Sequence, residues 1–269
     1  MEAAPNAVTD IGARSVSLAL QGKIKEARSS FSHKLEKWQR TADPFMLDSN
    51  WLNFALLLEK TGDFHGALSA CDRALKLARE VGDGVIECRA LYRRGVIQIR
   101  QGDLEEAQRT AEDLRLTIER YPVKKRIRYY DGLLALIALE RKDTASAQDH
   151  LQKALLLTPV RDGYAGSLRL EFLDYLAKAY EQAGGWAEAQ KAYEEILLLR
   201  FESLRVRDPG SVLGSAMTYY KLAKVLERQG DKVGAAARYR KFLDLWKNAD
   251  PGLPEVEDAK KRLVRLESY

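Results

Sequence analysis

A short phrase of polar turn residues followed by small and apolar residues recurs along this chain of 269 residues. It reads GDFHGALSACDRAL from residue 62, GDLEEAQRTAEDL from residue 102 and KDTASAQDHLQKAL from residue 142. Six turn positions, spaced by 40, 40, 40, 42 and 46 residues, start such a phrase: Gly22, Gly62, Gly102, Lys142, Gly184 and Gly230. A phrase repeated at a nearly constant period predicts an array of similar structural units.

Small and apolar residues hold fixed places around each turn. Five residues after it there is always an alanine: Ala27, Ala67, Ala107, Ala147, Ala189 and Ala235. Seven residues before it there is always a small residue: Ser15, Ala55, Gly95, Ala135, Ala177 and Ala223. Small residues on both sides of a turn let two antiparallel helices approach closely, because side-chain size sets the distance between helix axes. The pattern therefore predicts helical hairpins.

The turn residues themselves fit helix ends. A glycine relieves the left-handed backbone geometry that ends the first helix of a hairpin. In four phrases an aspartate follows it and can cap the second helix: Asp63, Asp103, Asp143 and Asp231. A hairpin cannot bury its apolar face alone, so the hairpins must stack on one another. The chain is predicted to be an all-α solenoid.

The spacing predicts six hairpins in a single domain that spans residues 1–269. They cover about 8–43, 46–82, 85–121, 124–160, 166–204 and 211–249. A further helix is predicted over 254–267, where Pro254 suits a first helical turn. Its apolar residues recur at steps of three and four: Val256, Ala259, Leu263 and Leu266. Such a one-sided helix is expected to cover the last hairpin.

A small residue, a Gly-Asp turn, an alanine and a final apolar residue in this order resemble the tetratricopeptide repeat. The resemblance extends from about residue 8 to residue 250, and it implies a right-handed superhelix in which the first helix of each hairpin lines a concave groove. The period departs from the usual 34 residues of that family. Because the offsets around the turns are constant, the extra residues are expected between hairpins, in segments 76–91 and 117–130. Longer loops are expected at 160–167 and 205–211.

The chain has no constellation that indicates catalysis, a cofactor or a metal. Its histidines, His33, His65 and His150, fall in different repeats, without cysteine or carboxylate at metal-ligand spacing. Cys71 and Cys88 are expected to lie about 10 Å apart, too far for a disulfide. The longest apolar run, residues 133–139, is far shorter than a membrane span, and the N-terminus does not resemble a secretory signal. These observations favour the cytoplasm.

Positive charge is concentrated in the third repeat and the start of the fourth. Residues 88–128 contain eleven basic and six acidic residues, and this difference of +5 equals the formal net charge of the whole chain. Two interpretations stay open. The excess attracts an acidic partner, or it belongs to a solvated face of a basic protein.

The family resemblance assigns the groove positions to the first helices. These are Asn53, Arg89, Tyr92, Arg93, Arg100, Tyr129, Tyr175, Lys178, Tyr220 and Lys224. In one branch of the family, polar residues of three successive repeats hold the C-terminal carboxylate of a peptide. Asn53, Arg89 and Arg93 match part of that pattern, whereas Gly12 and Val16 depart from it. The alternative is that Arg89 and Arg93 pair with acidic side chains of a neighbouring helix.

The sequence thus predicts a non-catalytic scaffold that binds a partner peptide or protein in its groove, with an acidic segment as one option. No small-molecule substrate is evident. Two alternatives remain. The C-terminal part, residues 239–263, resembles repeat regions of bacterial signalling proteins, which would make this chain the sensor or docking part of a larger kinase or winged-helix regulator. The basic stretch 120–128 with Tyr129 and Tyr130 would suit the binding of nucleic acid. One such cluster, however, does not amount to a nucleic-acid-binding surface.

Overall fold

A computed structural model describes residues 14–15, 17–19, 21–39, 44–159, 165–202 and 209–268. The regular elements in these residues are helices. They are α1 (Ile24–Trp38), α2 (Pro44–Lys60), α3 (Phe64–Val81), α4 (Gly84–Gln101), α5 (Leu104–Arg120), α6 (Ile127–Glu140), α7 (Thr144–Leu156), α8 (Ala165–Gln182), α9 (Trp186–Glu202), α10 (Pro209–Arg228), α11 (Lys232–Leu245) and α12 (Pro254–Glu267), with a short 3-10 helix over Lys124–Arg126. Residues 14, 15 and 17–19 are also helical.

The predicted turns form as expected. All six turn residues have positive φ, including Lys142 at 61°, a backbone conformation that is unfavourable for a residue with a side chain. The carboxylates of Asp63 and Asp103 accept hydrogen bonds from the N–H groups of Gly66 and Glu106, at 2.9 and 3.1 Å. Asp143 and Asp231 cap α7 and α11 in the same way. The aspartate caps are confirmed.

The small residues around the turns are buried as the pattern requires. Each of the six alanines that follow a turn by five residues is 0% exposed. In the third repeat the small residue that precedes the turn is Gly95, and it lies close to the next hairpin. A Cβ atom at Gly95 would lie 2.6 Å from the side chain of Leu133, on the next hairpin's α6. In this repeat the small residue makes room for stacking between hairpins.

The extra residues of the long period lie between hairpins. Helix α3 continues to Val81 and α4 starts only three residues later, so both helices are extended at that junction. Between α5 and α6 the addition is instead a short connection with the 3-10 helix. The two longer loops were expected at 160–167 and 205–211. Residues 160–164 and 205–208 lie outside the described residues, and α8 and α10 have already begun at Ala165 and Pro209.

The chain divides into two compact units. The central unit is Ala42–Val206, and in it α2 and α3, α4 and α5, α6 and α7, and α8 and α9 pack as antiparallel pairs. Successive pairs stack through α3 on α4, α5 on α6 and α7 on α8. The first helices also contact one another, α2 with α4, α4 with α6 and α6 with α8.

The terminal unit combines both ends of the sequence, Met1–Thr41 and Arg207–Tyr269. The Asp250 N–H donates to the Gly22 carbonyl at 3.1 Å, and the Asp250 carboxylate accepts from the Lys25 N–H at 3.0 Å. A Cβ atom at Gly22 would lie 2.6 Å from Cβ of Ala249. The turn of the first hairpin therefore fits closely against the loop that precedes α12. The extent of the predicted single domain stays a prediction.

The predicted last helix is present with the expected bounds, Pro254–Glu267. Val256 and Ala259 are buried, and Leu263 and Leu266 are half-buried. The helix packs on α11, whose Tyr239 and Phe242 are 0% exposed. Cys71 and Cys88 are both buried and free, as predicted. Burial raises the pKa of the Cys88 thiol to about 11, and this keeps the thiol protonated.

Candidate protein-binding surface

The first helices of the central unit face one another with their inner sides filled. The rings of Tyr92 (α4), Tyr129 (α6) and Phe172 (α8) meet there, with Tyr92 5.8 Å from Tyr129 and 6.0 Å from Phe172 between ring centroids. Gly132 makes this possible, because a Cβ atom there would lie 2.5 Å from the Phe172 ring and 3.2 Å from the Tyr92 ring. Side chains from the third and fifth hairpins thus touch across the fourth.

An ion-pair network lies beside these rings and joins three first helices. Arg93 on α4 donates from Nη1 to Glu59 of α2 at 2.8 Å. It also binds both carboxylate oxygens of Glu171 on α8, each at 2.8 Å. Arg100, two turns further along α4, donates to the carboxylate and to the carbonyl oxygen of Glu59. The Tyr175 hydroxyl donates to Glu171 at 3.1 Å.

The network is deeply buried, and its charges depend on one another. The side chain of Glu59 is 0% exposed and that of Arg93 is 10% exposed. Burial would raise the pKa of Glu59, but the positive charges of Lys60, Arg93 and Arg100 hold it at about 2. Burial would likewise lower the pKa of Arg93, and the carboxylates of Glu171 and Glu59 raise it well above its usual range. Both groups are therefore charged at neutral pH.

Four exposed or half-buried side chains lie in the C-terminal halves of three first helices, and we call them the rim. They are Lys60, Arg100, Tyr175 and Lys178. The Lys60 ammonium lies 6.0 Å from the centroid of the Tyr175 ring, within cation–π reach. Lys178 forms an ion pair with Glu140 at 3.1 Å. Of the rim side chains, Arg100 and Lys178 are exposed, and Lys60 and Tyr175 are half-buried.

The structure separates the ten predicted groove residues into distinct groups. Tyr92, Arg93 and Tyr129 are buried beneath the rim, to which Arg100, Tyr175 and Lys178 belong. Asn53 and Arg89 are half-buried and have interaction partners within the protein. Tyr220 and Lys224 are in the terminal unit. Whether any of them contacts a partner stays a prediction, but the guanidinium of Arg93 already holds two carboxylates of this chain.

Tyr220 and Lys224 lie beside the last helix. The Tyr220 hydroxyl donates to Asp258 of α12 at 2.6 Å, and the Lys224 ammonium lies 5.5 Å from the centroid of the Tyr220 ring. One turn further on α10, Glu227 accepts from Arg262 of α12 at 2.9 Å and from Arg265. At this position of the terminal unit, α12 stands where a further first helix would stand in a longer array.

In the basic stretch 120–128, some side chains bind other groups of the protein and others are exposed to solvent. Arg126 donates to the carbonyl of Tyr121 at 2.8 Å, and Arg128 donates to that of Leu157 at 3.2 Å. These carbonyls lie just past the C-terminal ends of α5 and α7, so both arginines satisfy helix-end acceptors. Arg120 lies 3.9 Å from Glu87. Lys124 and Lys125 are exposed.

Sequence reasoning missed the two carboxylates that organise the central network, Glu59 and Glu171. Glu59 did carry a signal, because it stands three residues before its turn glycine, as Glu181 and Glu227 do. Those two accept hydrogen bonds from Tyr193 and Tyr239, in each case a residue nine positions after the turn. Glu171 stands two hairpins away from Arg93 and had no such local signal.

The described residues contain no cluster of histidine, cysteine or carboxylate side chains that would hold a metal ion. His150 is paired with Asp131 at 2.9 Å between α7 and α6, within one hairpin. In the described part of the chain, no helix combines the length and the apolar composition that a membrane span requires.

The fold and this surface define a helical-hairpin repeat protein, an all-α solenoid. Two family models of the tetratricopeptide repeat match residues 47–115 and 176–252, together just over half of the chain. The chain belongs to the tetratricopeptide repeat family, as its sequence pattern predicted. That family is typical of non-catalytic scaffolds that bind proteins or peptides, and its repeats support this role here.

Solved structures agree with the fold. A chain in the crystal structure of the APC/C hetero-tetramer Cut9–Hcn1 is 19% identical with a TM-score of 0.54, over 91% of this chain and 39% of that chain. This chain therefore spans well under half the length of that relative. A thermophilic TPR protein of Thermus thermophilus is 18% identical with a TM-score of 0.51, over 82% of this chain and 100% of that one. No curated protein sequence matches this chain.

Proposed function

We propose that this chain is a non-catalytic scaffold whose rim binds a protein partner through an acidic segment. The observation that carries the proposal is that Lys60, Arg100 and Lys178 come from three first helices and that Lys60 lies within cation–π reach of the half-buried ring of Tyr175. A mixture of cations and an aromatic ring is typical of surfaces that bind polar peptide segments.

The buried network supports this choice of site over the deeper groove. The side chains that a peptide would meet deeper between the first helices, Tyr92, Arg93 and Tyr129, are enclosed by other side chains of the central unit. A peptide carboxylate that reached Arg93 would have to displace Glu171 from two hydrogen bonds of 2.8 Å. At the rim a peptide carboxylate would compete with the Lys178–Glu140 ion pair, which is solvent-exposed and therefore weaker than the buried pairing of Arg93 with Glu171.

The two alternative functions, nucleic-acid binding and a role in a larger signalling protein, have less support. For nucleic acid, Arg126 and Arg128 donate to backbone carbonyls, which reduces the cations of stretch 120–128 that can reach phosphates. For the signalling role, the resemblance of residues 239–263 is the remaining argument. A cytoplasmic location is part of the proposal.

The test is affinity capture from lysate of the source cell with the full chain as bait, followed by calorimetry with each purified candidate. Lys178→Glu is compared with Lys241→Glu, a change of the same charge at an exposed residue of α11. We expect the Lys178 variant to bind at least fivefold more weakly and the Lys241 variant to bind like wild type. Equal binding by both variants, together with an affinity that salt does not change, would rule out the rim as the site.

A further inference from the structure

A second surface lies at the other end of the first helices, where consecutive hairpins join. Four apolar side chains are exposed there, two at each of two neighbouring junctions. Val81 and Val85 flank the α3–α4 turn and are 40% and 42% exposed, and Val123 and Ile127 flank the α5–α6 connection and are 39% and 40% exposed. Along α4, Val85 and Arg100 are separated by about 22 Å at ~1.5 Å per residue. This junction surface is therefore distinct from the rim.

The two junctions are in direct contact. The ring of Tyr121, which follows α5, lies against Gly84 at the start of α4, so closely that a Cβ atom there would be 2.6 Å from the ring. Arg126 lies over the same ring at 5.6 Å and donates to the Tyr121 carbonyl. Arg120, the last residue of α5, reaches Glu87 of α4. These contacts hold the two junctions, and with them the four exposed apolar side chains, on neighbouring parts of the surface.

This surface carries positive charge that the chain does not neutralise. Glu87 is shared by Arg79, at 2.9 Å, and Arg120. Arg126 and Arg128 donate to backbone carbonyls rather than to carboxylates. Lys124 and Lys125 are exposed, and neither forms an ion pair with any residue in the described part of the chain. The basic excess of residues 88–128 is therefore left unpaired mainly at the α5–α6 connection.

We propose that the junction surface is a docking site for an acidic protein segment that also carries apolar side chains. Carboxylates of the segment pair with Lys124 and Lys125, and its apolar side chains cover Val85, Val123 and Ile127. Because the junction surface is positively charged, charge complementarity favours a negatively charged partner. The exposed apolar side chains select a protein over a nucleic acid, since they offer nothing to a phosphate backbone. The ring of Tyr121, held between Gly84 and Arg126, is also poorly placed for stacking on a base.

The test uses the full chain and three labelled 20-residue peptides in fluorescence anisotropy. One peptide combines Glu and Leu, one combines Glu and Ser, and one combines Lys and Leu. We expect saturable binding of the Glu/Leu peptide, at least fivefold weaker binding of the Glu/Ser peptide, and no binding of the Lys/Leu peptide. A single-stranded 20-nucleotide DNA is the fourth probe, and it should bind more weakly than the Glu/Leu peptide.

Two double variants assign the binding to this surface. The double variant Lys124→Glu/Lys125→Glu should bind the Glu/Leu peptide at least tenfold more weakly than wild type. The double variant Val123→Ser/Ile127→Ser should bind it at least fivefold more weakly. Lys241→Glu and Val233→Ser change exposed residues of the terminal unit and should stay within twofold of wild type. Circular dichroism melts check that each variant is folded. The proposal is overturned by absence of saturable binding, by junction variants that bind like the controls, or by DNA that binds more tightly than the peptide. Because Lys178→Glu leaves this surface intact, failure here does not affect the rim proposal.

Discussion

Two glutamates hold the same place in their repeats but lie in different surroundings. Glu59 of the central unit and Glu227 of the terminal unit each stand three residues before a turn glycine. Each pairs with two arginines of another helix, Arg93 and Arg100 of α4 for Glu59, and Arg262 and Arg265 of α12 for Glu227. The Glu59 side chain is 0% exposed and that of Glu227 is 18% exposed.

These two glutamates show that similar ion pairs at one repeat position can differ in burial, and burial decides how much each pair contributes to stability. In the central unit a third helix contributes Glu171 and closes the network, so that a broken pair leaves a charge without water. In the terminal unit the pair stays in contact with solvent, which screens it and hydrates a charge left alone. Replacing an arginine partner should therefore lower the stability of the central unit much more than that of the terminal unit.

The largest effect is expected for Arg93→Met. The change removes the arginine that binds both carboxylate oxygens of Glu171, while Glu59 keeps Arg100. The loss of one partner of a buried pair costs about 3–5 kcal/mol. Urea unfolding measures the loss, and hydrogen exchange over α4 localises it. Adding Glu59→Gln and Glu171→Gln to Arg93→Met should recover part of the stability. A loss below about 1 kcal/mol would show that the network does not stabilise the central unit.

Acid should weaken the central network only well below neutral pH. The pKa of Glu59 falls from 4.5 to about 2 on folding. Its contribution is therefore fully present above pH 4.5 and is lost as the pH falls towards 2. By linkage this contribution is about 3 kcal/mol. The stability of Glu59→Gln should change less with pH between 4.5 and 2 than that of wild type, and identical slopes would contradict the assignment.

A smaller effect is expected for Arg262→Met in the terminal unit. Burial would raise the pKa of Glu227, but hydrogen bonds from Arg262 and Tyr239 lower it, so the carboxylate is charged at neutral pH. Arg265 still pairs with it after the substitution. We expect a loss of about 1 kcal/mol, seen as faster hydrogen exchange in α12. A loss as large as that of Arg93→Met would remove the distinction between the two pairs.

Salt should produce the smallest difference. At 1 M salt the screening length is about 3 Å, which weakens solvent-exposed pairs more than buried ones. The destabilisation by Arg262→Met should therefore shrink by a few tenths of a kcal/mol between 0.1 and 1 M sodium chloride. The destabilisation by Arg93→Met should stay constant in the same series. Equal salt dependence in both variants would mean that the Glu59 network is accessible to solvent.

The sequence alone predicted the repeat with its turns and caps. The six alanines are all fully buried, the aspartates cap the helices, and the last helix has the predicted bounds. Local spacing carries this information, because helix geometry converts a fixed offset from a turn into a fixed position on a helix face. The family resemblance, rather than spacing, assigned Arg100, Tyr175 and Lys178 to the groove, and their role in binding stays a prediction.

Only the tertiary structure decided which of these side chains a partner can reach. Glu171 binds Arg93 from 78 residues away, and Asp250 caps α1 from a distance of 225 residues in the sequence. No period or offset encodes such contacts, because they depend on how several hairpins stack and on the room that Gly132 leaves for Phe172. The sequence therefore determined the hairpins and their order, and the stacking determined that Arg93 is enclosed by the chain's own carboxylates.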